Sequence, residues 1–435
     1  MAKDAIGFAL SALNRLAGSS MLDRLGMRHT AERLAYRLTK GGFQVITTSA
    51  RAFKSNNPSD KPQRLDAPGH TTGLFDLGIT DEQQMIRDSV RAFAAEVLRE
   101  NAEQSDAEQR TSDDVQSQAR ELGLNFFAVP EALGGAAAER STVTSMLVAE
   151  ELARGDMGQA VAVLAPMGVA NALTRWGSAV QQDKYLSTFA GEDAPLATIA
   201  VCEPRPLFDP MTLRTTATRD GDDWLLSGEK SLVPLAAEAE LFLVAAETGD
   251  GPAVFIIEGG SEGLSAGDDP AMGIRASGQR PLLLDNVRVP DANRLGDDDF
   301  NYREFIDLGT LAWCALAIGT AQAVLDYVVP YCNERKAFGE PISHRQAVAF
   351  MVADIAIELD AMRMLTYRAV CRAEQGKPFQ RETHLARTLV KDKAMQIGTD
   401  GVQLLGGHGF THEYPVERWY RDLRAIGVVF GGLHL

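Results

Sequence analysis

A short motif in the last third of the sequence combines residue types that could bind a phosphate-containing ligand. It contains Arg335 and Phe338 and is followed by Gln346. Arginine offers a planar fork of donors to a pyrophosphate, an aromatic side chain can pack against a ring, and glutamine adds directional hydrogen bonds. The motif is therefore compatible with a ligand that carries a pyrophosphate.

A glycine-rich turn farther along the chain has a related chemical character. It begins at Gln403 and contains Gly406 and Gly407. Glycine lets backbone N–H groups come close to phosphate oxygens. The turn is not a Rossmann fingerprint, because a helical pattern rather than a strand precedes it and the spacing differs.

The elements that would position these motifs follow a pattern of helices, then strands, then helices. Residues 76–196 are helical in pattern, with Thr80 as a predicted N-cap. Residues 197–298 contain short apolar runs and a hairpin signal at Asp220-Gly221. Residues 299–435 return to long helical periodicity. This order predicts an α+β fold of three parts.

Residues 1–75 form a basic helical arm and linker attached to an acidic body. Lys and Arg outnumber Asp and Glu in this arm, although the whole chain has a formal net charge of −16. A nucleic-acid partner is therefore not expected for the chain as a whole. The arm has two interpretations, either helices that pack on the body or on a neighbouring subunit, or an element that contacts a membrane surface or a partner.

Cysteine spacing indicates the compartment. The four cysteines are far apart and form no CxxC pair, so neither a disulfide framework nor a metal site is expected. We predict a cytoplasmic protein, which the second interpretation of the arm would place at the membrane surface.

Together, the order of parts and the two motifs resemble the acyl-CoA dehydrogenase family over roughly residues 77–435. The resemblance implies an N-terminal helical domain, a middle β domain and a C-terminal four-helix bundle, with 1–75 as an additional arm. It also implies FAD as the cofactor. The Arg335 motif and the glycine turn would contact the adenosine diphosphate half of FAD, often on a neighbouring subunit, and Cys202 would lie in the loop beside the flavin.

The resemblance further implies a substrate site at the start of the helix that follows the β domain. Asp307, Gly309 and Thr310 are expected there, beside an acyl-CoA or a related thioester. The implied assembly is a homodimer or homotetramer, or a heteromer with a catalytic paralogue. An electron-transfer flavoprotein is a possible electron acceptor.

The sequence departs from the family where the catalytic base belongs. Phe430 occupies the usual position of the Glu base, and Gly309 occupies the alternative base position. Thr310 replaces an Arg that usually lies near the base. Leu232 and Pro234 stand where the family often has a Trp that stacks on the isoalloxazine ring and a Thr that hydrogen-bonds flavin N5. Proline can make no such hydrogen bond.

Three functional hypotheses remain. The first is an acyl-CoA dehydrogenase that oxidises Cα–Cβ with another base, for which Asp307, Glu304, His408, His412 and His434 are candidates. Asp307 is a poor substitute, because two residues of helix turn it about 200° away from Gly309. The second is a catalytically inactive or regulatory subunit of a heteromeric acyl-CoA dehydrogenase. The third is a flavin-dependent oxygenase on the same fold.

Overall fold

The computed structural model describes residues 78–124, 128–135, 141–191, 194–268, 271–296 and 300–435. The predicted basic arm, 1–75, lies outside the described residues. Both interpretations of the arm therefore stay predictions.

The first part of the described chain is helical. Thr80 caps the first helix as predicted, because its hydroxyl accepts from Gln83 N at 3.1 Å while Gln83 Oε1 accepts from Thr80 N at 3.0 Å. A π-helical turn, Ala94–Leu98, joins the first two helices. The helices are α1 (Asp81–Phe93), α2 (Arg99–Glu108), α3 (Asp113–Glu121), α4 (Thr142–Gly155), α5 (Met157–Trp176) and α6 (Ala179–Phe189).

A seven-stranded sheet follows, in the order β1-β4-β2-β3-β7-β6, with β5 paired to β4. The predicted hairpin is confirmed, because Asp220 pairs with Asp223 in an antiparallel register and Gly221 takes a φ of +65° in the turn. The strands are β1 (Ala197–Ala200), β2 (Thr216–Asp220), β3 (Asp223–Val233), β4 (Leu241–Glu247), β5 (Pro252–Glu258), β6 (Leu264–Ala266) and β7 (Arg280–Pro290).

The last part is a helical bundle built around one long apolar helix. The helices are α7 (Tyr302–Glu334), α8 (Gln346–Glu374), α9 (Gln380–Leu405) and α10 (Val416–Ala425). Helix α7 packs against α4, α8 and α9. Gly319 permits the close approach of α4, since a Cβ there would lie 2.0 Å from Glu150 O. A short hairpin, Lys336–Ala337 with Glu340–Pro341, separates α7 from α8. The predicted α+β class and its three domains are confirmed.

Two of these helices are apolar enough to span a membrane by length and composition alone. They are Met157–Trp176 and Tyr302–Glu334. In the fold, 94% and 89% of their apolar windows are buried, as in the core helices of a soluble protein.

Candidate cofactor and substrate site

The Arg335 motif and the glycine-rich turn form one exposed surface. We call it the Arg335 surface and define it by Arg335, Phe338, Gln346, Gln403, Gly406 and Gly407, all of which are exposed. Arg335 directly follows α7, Gln346 begins α8, and Gln403 lies in the last turn of α9. The motifs are joined by a hydrogen bond of 3.0 Å between Tyr331 Oη and His408 Nδ1.

This surface has the open donors and the accessible backbone that the predicted contact with the adenosine diphosphate half of FAD requires. Arg335 has no ion pair among the described residues, so its donors are free for an anion. A Cβ added at Gly406 or Gly407 would meet nothing within 4 Å, which leaves room for a ligand to approach the backbone. Phe338 is 97% exposed at the hairpin, with the Arg345 guanidinium 5.7 Å from its ring centroid.

The flavin-facing side of the predicted site is covered by other residues of the chain, whereas the Arg335 surface is exposed. Phe430 N–H donates to Cys202 Sγ at 2.9 Å, and the thiol donates to Phe430 O at 3.1 Å. Burial raises the pKa of the Cys202 thiol to about 12, so the thiol keeps its proton. The Phe430 ring meets Phe208 edge to face at a centroid distance of 5.9 Å.

Two glycines next to Phe430 also pack against the flavin-facing residues. We call the stretch that contains them, residues 429–435, the 429–435 segment. Gly431 pairs with Ala200 in an antiparallel bridge, and Gly432 N–H donates to Ile199 O at 2.6 Å. A Cβ at Gly432 would lie 2.8 Å from Pro234 Cγ. The segment therefore packs on the same residues that were expected to face the flavin.

The end of the 429–435 segment is also part of the core. Leu433, His434 and Leu435 are each no more than 2% exposed. Asn171 Nδ2 donates to His434 O at 3.1 Å, and Trp313 Nε1 donates to Gly431 O at 2.8 Å. Both ends of the segment are thus anchored to helices.

The residues on this side do not fit an isoalloxazine ring in the structure. A ring between Cys202, Pro234 and Phe430 would need a gap of at least its own thickness, yet Cys202 contacts Phe430 and Pro234 closely approaches Gly432. The predicted FAD site is therefore open at the Arg335 surface and covered on its flavin-facing side.

The predicted substrate residues lie only partly together. Asp307 and Thr310 line a cleft of about 670 Å³ together with Phe430. Thr310 Oγ1 donates to Ile306 O at 2.8 Å, so its hydroxyl hydrogen is already used within α7. Gly309 is placed elsewhere, because a Cβ there would point to Leu433 O at 3.0 Å. Burial raises the pKa of Asp307 to about 6.

The other candidate bases are not among the residues that line this cleft. Glu304 is ion-paired with Arg175, and His412 Nδ1 lies 3.0 Å from Glu417 Oε1. His408 is hydrogen-bonded to Tyr331, and the His434 ring packs edge to face with Trp176 and tilted against Phe305. Of the five candidates, the structure brings Asp307 alone to the cleft.

Two charged side chains beside the predicted site were not singled out from the sequence. Arg387 in α9 donates from Nη2 to Val429 O at 3.0 Å, with Cζ 4.7 Å from the centroid of Phe430. Lys230 forms a buried ion pair with Glu203 at 3.0 Å. The sequence feature that could have indicated the burial of Arg387 is its position one helical turn before apolar Val390.

Comparisons with known proteins agree with this architecture. The acyl-CoA dehydrogenase N-terminal, middle and C-terminal domain families match residues 80–193, 198–287 and 302–432. A probable acyl-CoA dehydrogenase, YngJ of Bacillus subtilis, is 33% identical over 80% of this chain and 94% of its own length. The short-chain specific acyl-CoA dehydrogenase of Rattus norvegicus is 32% identical over 81% of this chain and 87% of its own length.

A solved structure supports the same assignment. Butyryl-CoA dehydrogenase from Megasphaera elsdenii superposes with a TM-score of 0.75 at 29% identity, covering 81% of this chain and 95% of that one. At the level of the family, the predictions of fold and of FAD as the cofactor are confirmed. The chain belongs to the acyl-CoA dehydrogenase family, whose members are FAD-binding oxidoreductases of fatty acid metabolism.

Proposed function

We propose that this chain is a non-catalytic subunit of a heteromeric acyl-CoA dehydrogenase. In this role it contributes the Arg335 surface to an FAD whose flavin ring is held by a catalytic partner subunit. The proposal rests on one observation, that one half of the predicted site is exposed and the other half is covered. The Arg335 surface is open, whereas the 429–435 segment covers the flavin-facing residues.

The conformation of Phe338 supports a partner on this surface. Its side chain is 97% exposed, and its backbone has a φ of +54°. A bulky residue in the left-handed region is strained, and such strain is tolerated where it serves a contact. Within the described residues Phe338 gains a cation–π contact with Arg345 and remains otherwise open to solvent.

The other two hypotheses require a flavin ring beside this chain's own substrate cleft. A dehydrogenase needs the ring as its hydride acceptor, and an oxygenase needs it to activate oxygen. Asp307 would supply a carboxylate for the first of these, with its pKa raised to about 6 by burial. The presence of this carboxylate does not change the contacts between Phe430 and Cys202, which cover the flavin-facing side of the site.

We propose that the remaining partners act on the complex. The catalytic subunit would bind the acyl-CoA or related thioester and oxidise it at Cα–Cβ. An electron-transfer flavoprotein would then reoxidise the flavin of that subunit. We propose a cytoplasmic location for the complex, and contact of residues 1–75 with a membrane surface stays a prediction.

Replacing Arg335 by Met tests this role in the assembled complex. The chain is co-expressed with each family paralogue of the same organism that has Glu at the base position, and the FAD dissociation constant of the purified complex is measured. We expect R335M to weaken FAD binding by about tenfold to a hundredfold, because a charge-assisted hydrogen bond to a phosphate is lost.

Arg424→Met is the matched control, since Arg424 is exposed on α10 outside the Arg335 surface and the change in charge is the same. This variant should bind FAD like the unchanged complex. Equal affinities for R335M and R424M would contradict the proposal. So would a failure of every paralogue to form a complex with the chain.

A further inference from the structure

A buried aspartate lies where the three domains meet. Asp422 of α10 is buried, and the ion pairs of the described residues do not include it. Its Oδ1 accepts from Ile274 N at 2.6 Å, in the loop that precedes β7. A second buried carboxylate, Asp156, caps α5 and lies 3.2 Å from Arg418 Nε of α10. Two buried carboxylates therefore meet at this junction, and one of them has an ion pair.

The charges at this junction favour a proton on Asp422. Burial and the charge of Asp156 raise the pKa of Asp422 to about 7, and the Ile274 N–H only partly opposes this shift. Asp156 ionises first, because Arg418 and the N–H of Gln159 stabilise its negative charge. The other charged groups at the junction are Asp106, ion-paired with Arg421 and Arg275, Glu417, which contacts Arg421 and His412, and Arg99, whose charge interacts with those of Arg418 and Asp156.

Asp422 is connected to both parts of the contact that covers the flavin side. Through α10 it is linked to the 429–435 segment, which starts shortly after that helix. Through Ile274 it holds the loop before β7, in which a backbone carbonyl accepts from Leu235 N at 3.0 Å. Leu235 directly follows the flavin-facing Pro234. A movement at Asp422 can therefore reach both sides of this contact.

The loop before β7 is strained where Asp422 holds it. Ile274 has a φ of +54°, in a left-handed region that a β-branched residue rarely adopts. The preceding Gly273 lies tightly against α10, since a Cβ there would be 2.3 Å from Arg421 O. Such strain persists only where the surrounding contacts hold it. If α10 shifts, the loop loses these contacts and can relax.

We infer that Asp422 is a proton-controlled latch, which keeps the flavin side closed while it is protonated and favours opening when it is ionised. Ionisation places a second negative charge beside that of Asp156 in a buried space, so the charged form gains when α10 separates and water enters. Opening therefore increases as the pH rises from the ordinary pKa of Asp, about 4, to the pKa of about 7 in the closed fold, and then levels off. The inference concerns the closure on which the proposed function rests, but it does not require the subunit role, because its test uses the chain alone.

Hydrogen–deuterium exchange of the purified chain as a function of pH tests the latch. Protection factors, corrected for the intrinsic exchange rate at each pH, are measured for peptides that cover residues 273–279 and 429–435. We expect both to fall by about tenfold per pH unit between about pH 5 and about pH 7, because opening releases one proton. Above about pH 7 this contribution should level off, since Asp422 is then ionised in both states.

Asp422→Asn removes the titration and keeps an oxygen that can accept from Ile274 N. The protection of D422N in both peptides should therefore change by less than about threefold over the same pH range. Asp392→Asn is the matched control, because it makes the same chemical change on the neighbouring helix α9, where the Asp392 side chain is 71% exposed. D392N should lose protection with rising pH as the unchanged chain does.

A purely structural role of Asp422 predicts a different result, because D422N would then lose protection by the same factor at every pH. That pattern would overturn the inference, as would equal pH dependence of D422N and D392N. Closure that does not vary with pH would also overturn the latch, although it would leave the proposed subunit role intact. If D422N does not fold, the unchanged chain decides the question. A joint fall in both peptides that ends near pH 7 supports the latch, and protection that is constant with pH contradicts it.

Discussion

Gly432→Ala is expected to lower the free energy of unfolding by about 2–5 kcal/mol. Of this, about 1–2 kcal/mol is the cost of an L-residue in the left-handed conformation, since Gly432 has a φ of +77°. Overpacking adds about 1–3 kcal/mol, because the new methyl group would lie 2.8 Å from Pro234 Cγ and 3.1 Å from Pro234 Cδ. Equilibrium denaturation in urea measures the difference from the unchanged chain.

Gly260→Ala provides the matched control. Gly260 has a φ of +78°, and a Cβ there would meet nothing within 4 Å. This variant should lose only the backbone contribution. The difference between the two variants therefore measures how tightly the 429–435 segment packs on the flavin-facing residues. Equal destabilisation would mean that this segment does not close the site.

Lys230→Met is expected to destabilise the fold by about 3–5 kcal/mol, the usual cost of leaving one partner of a buried ion pair alone. The side chains of Lys230 and Glu203 are 0% and 3% exposed, and Nζ lies 3.0 Å from Glu203 Oε1. Glu203 also accepts from the backbone N–H groups of Arg214 and Thr215. The pair thereby fixes β3 against the loop that follows β1, which is the flavin-facing part of the sheet.

A second Lys–Glu pair gives the control for this prediction. Lys184 lies 2.8 Å from Glu258, but the two side chains are 53% and 57% exposed. Lys184→Met should therefore cost no more than about 1 kcal/mol. In the K230M background, Glu203→Gln should recover part of the lost stability, because no unpaired charge then remains buried. A similar loss for K184M and K230M would contradict this account of the pair.

The same pair predicts a dependence on pH. Burial alone would raise the pKa of Glu203, but the Lys230 charge and the backbone donors outweigh it and hold that pKa below its ordinary value. Stability from this group is therefore present above the ordinary pKa of Glu and is lost as the pH falls through the lower folded value. Denaturation in acid should show a smaller loss for K230M than for the unchanged chain.

The sequence was most informative where the determinants of structure are local. Thr80 capping and the hairpin at Asp220-Gly221 depend on residues within one turn, and both are confirmed. The Arg335 motif and the glycine turn were associated only by resemblance. Their contact through Tyr331 and His408 depends on how α7 and α9 pack, which no local pattern specifies.

The closure of the flavin side could not be predicted for the same reason. Phe430 and Pro234 were each recognised as departures from the family, but as separate substitutions. Their shared consequence depends on Gly431 pairing with β1 and Gly432 packing on Pro234, contacts between residues far apart in the sequence. The burial of Arg387 could not be predicted for the same reason. An arginine in a polar stretch of helix is normally solvated, and the burial of Arg387 requires Phe430 beside it.

The flavin content of the purified chain tests the central claim most directly. The chain is incubated with excess FAD, freed of unbound cofactor by gel filtration, and examined by visible absorption spectroscopy. With the flavin-facing residues covered by the 429–435 segment, the chain alone should retain no flavin band, whereas its complex with a catalytic paralogue should retain one. One tightly bound flavin per chain in the absence of a partner would contradict the account.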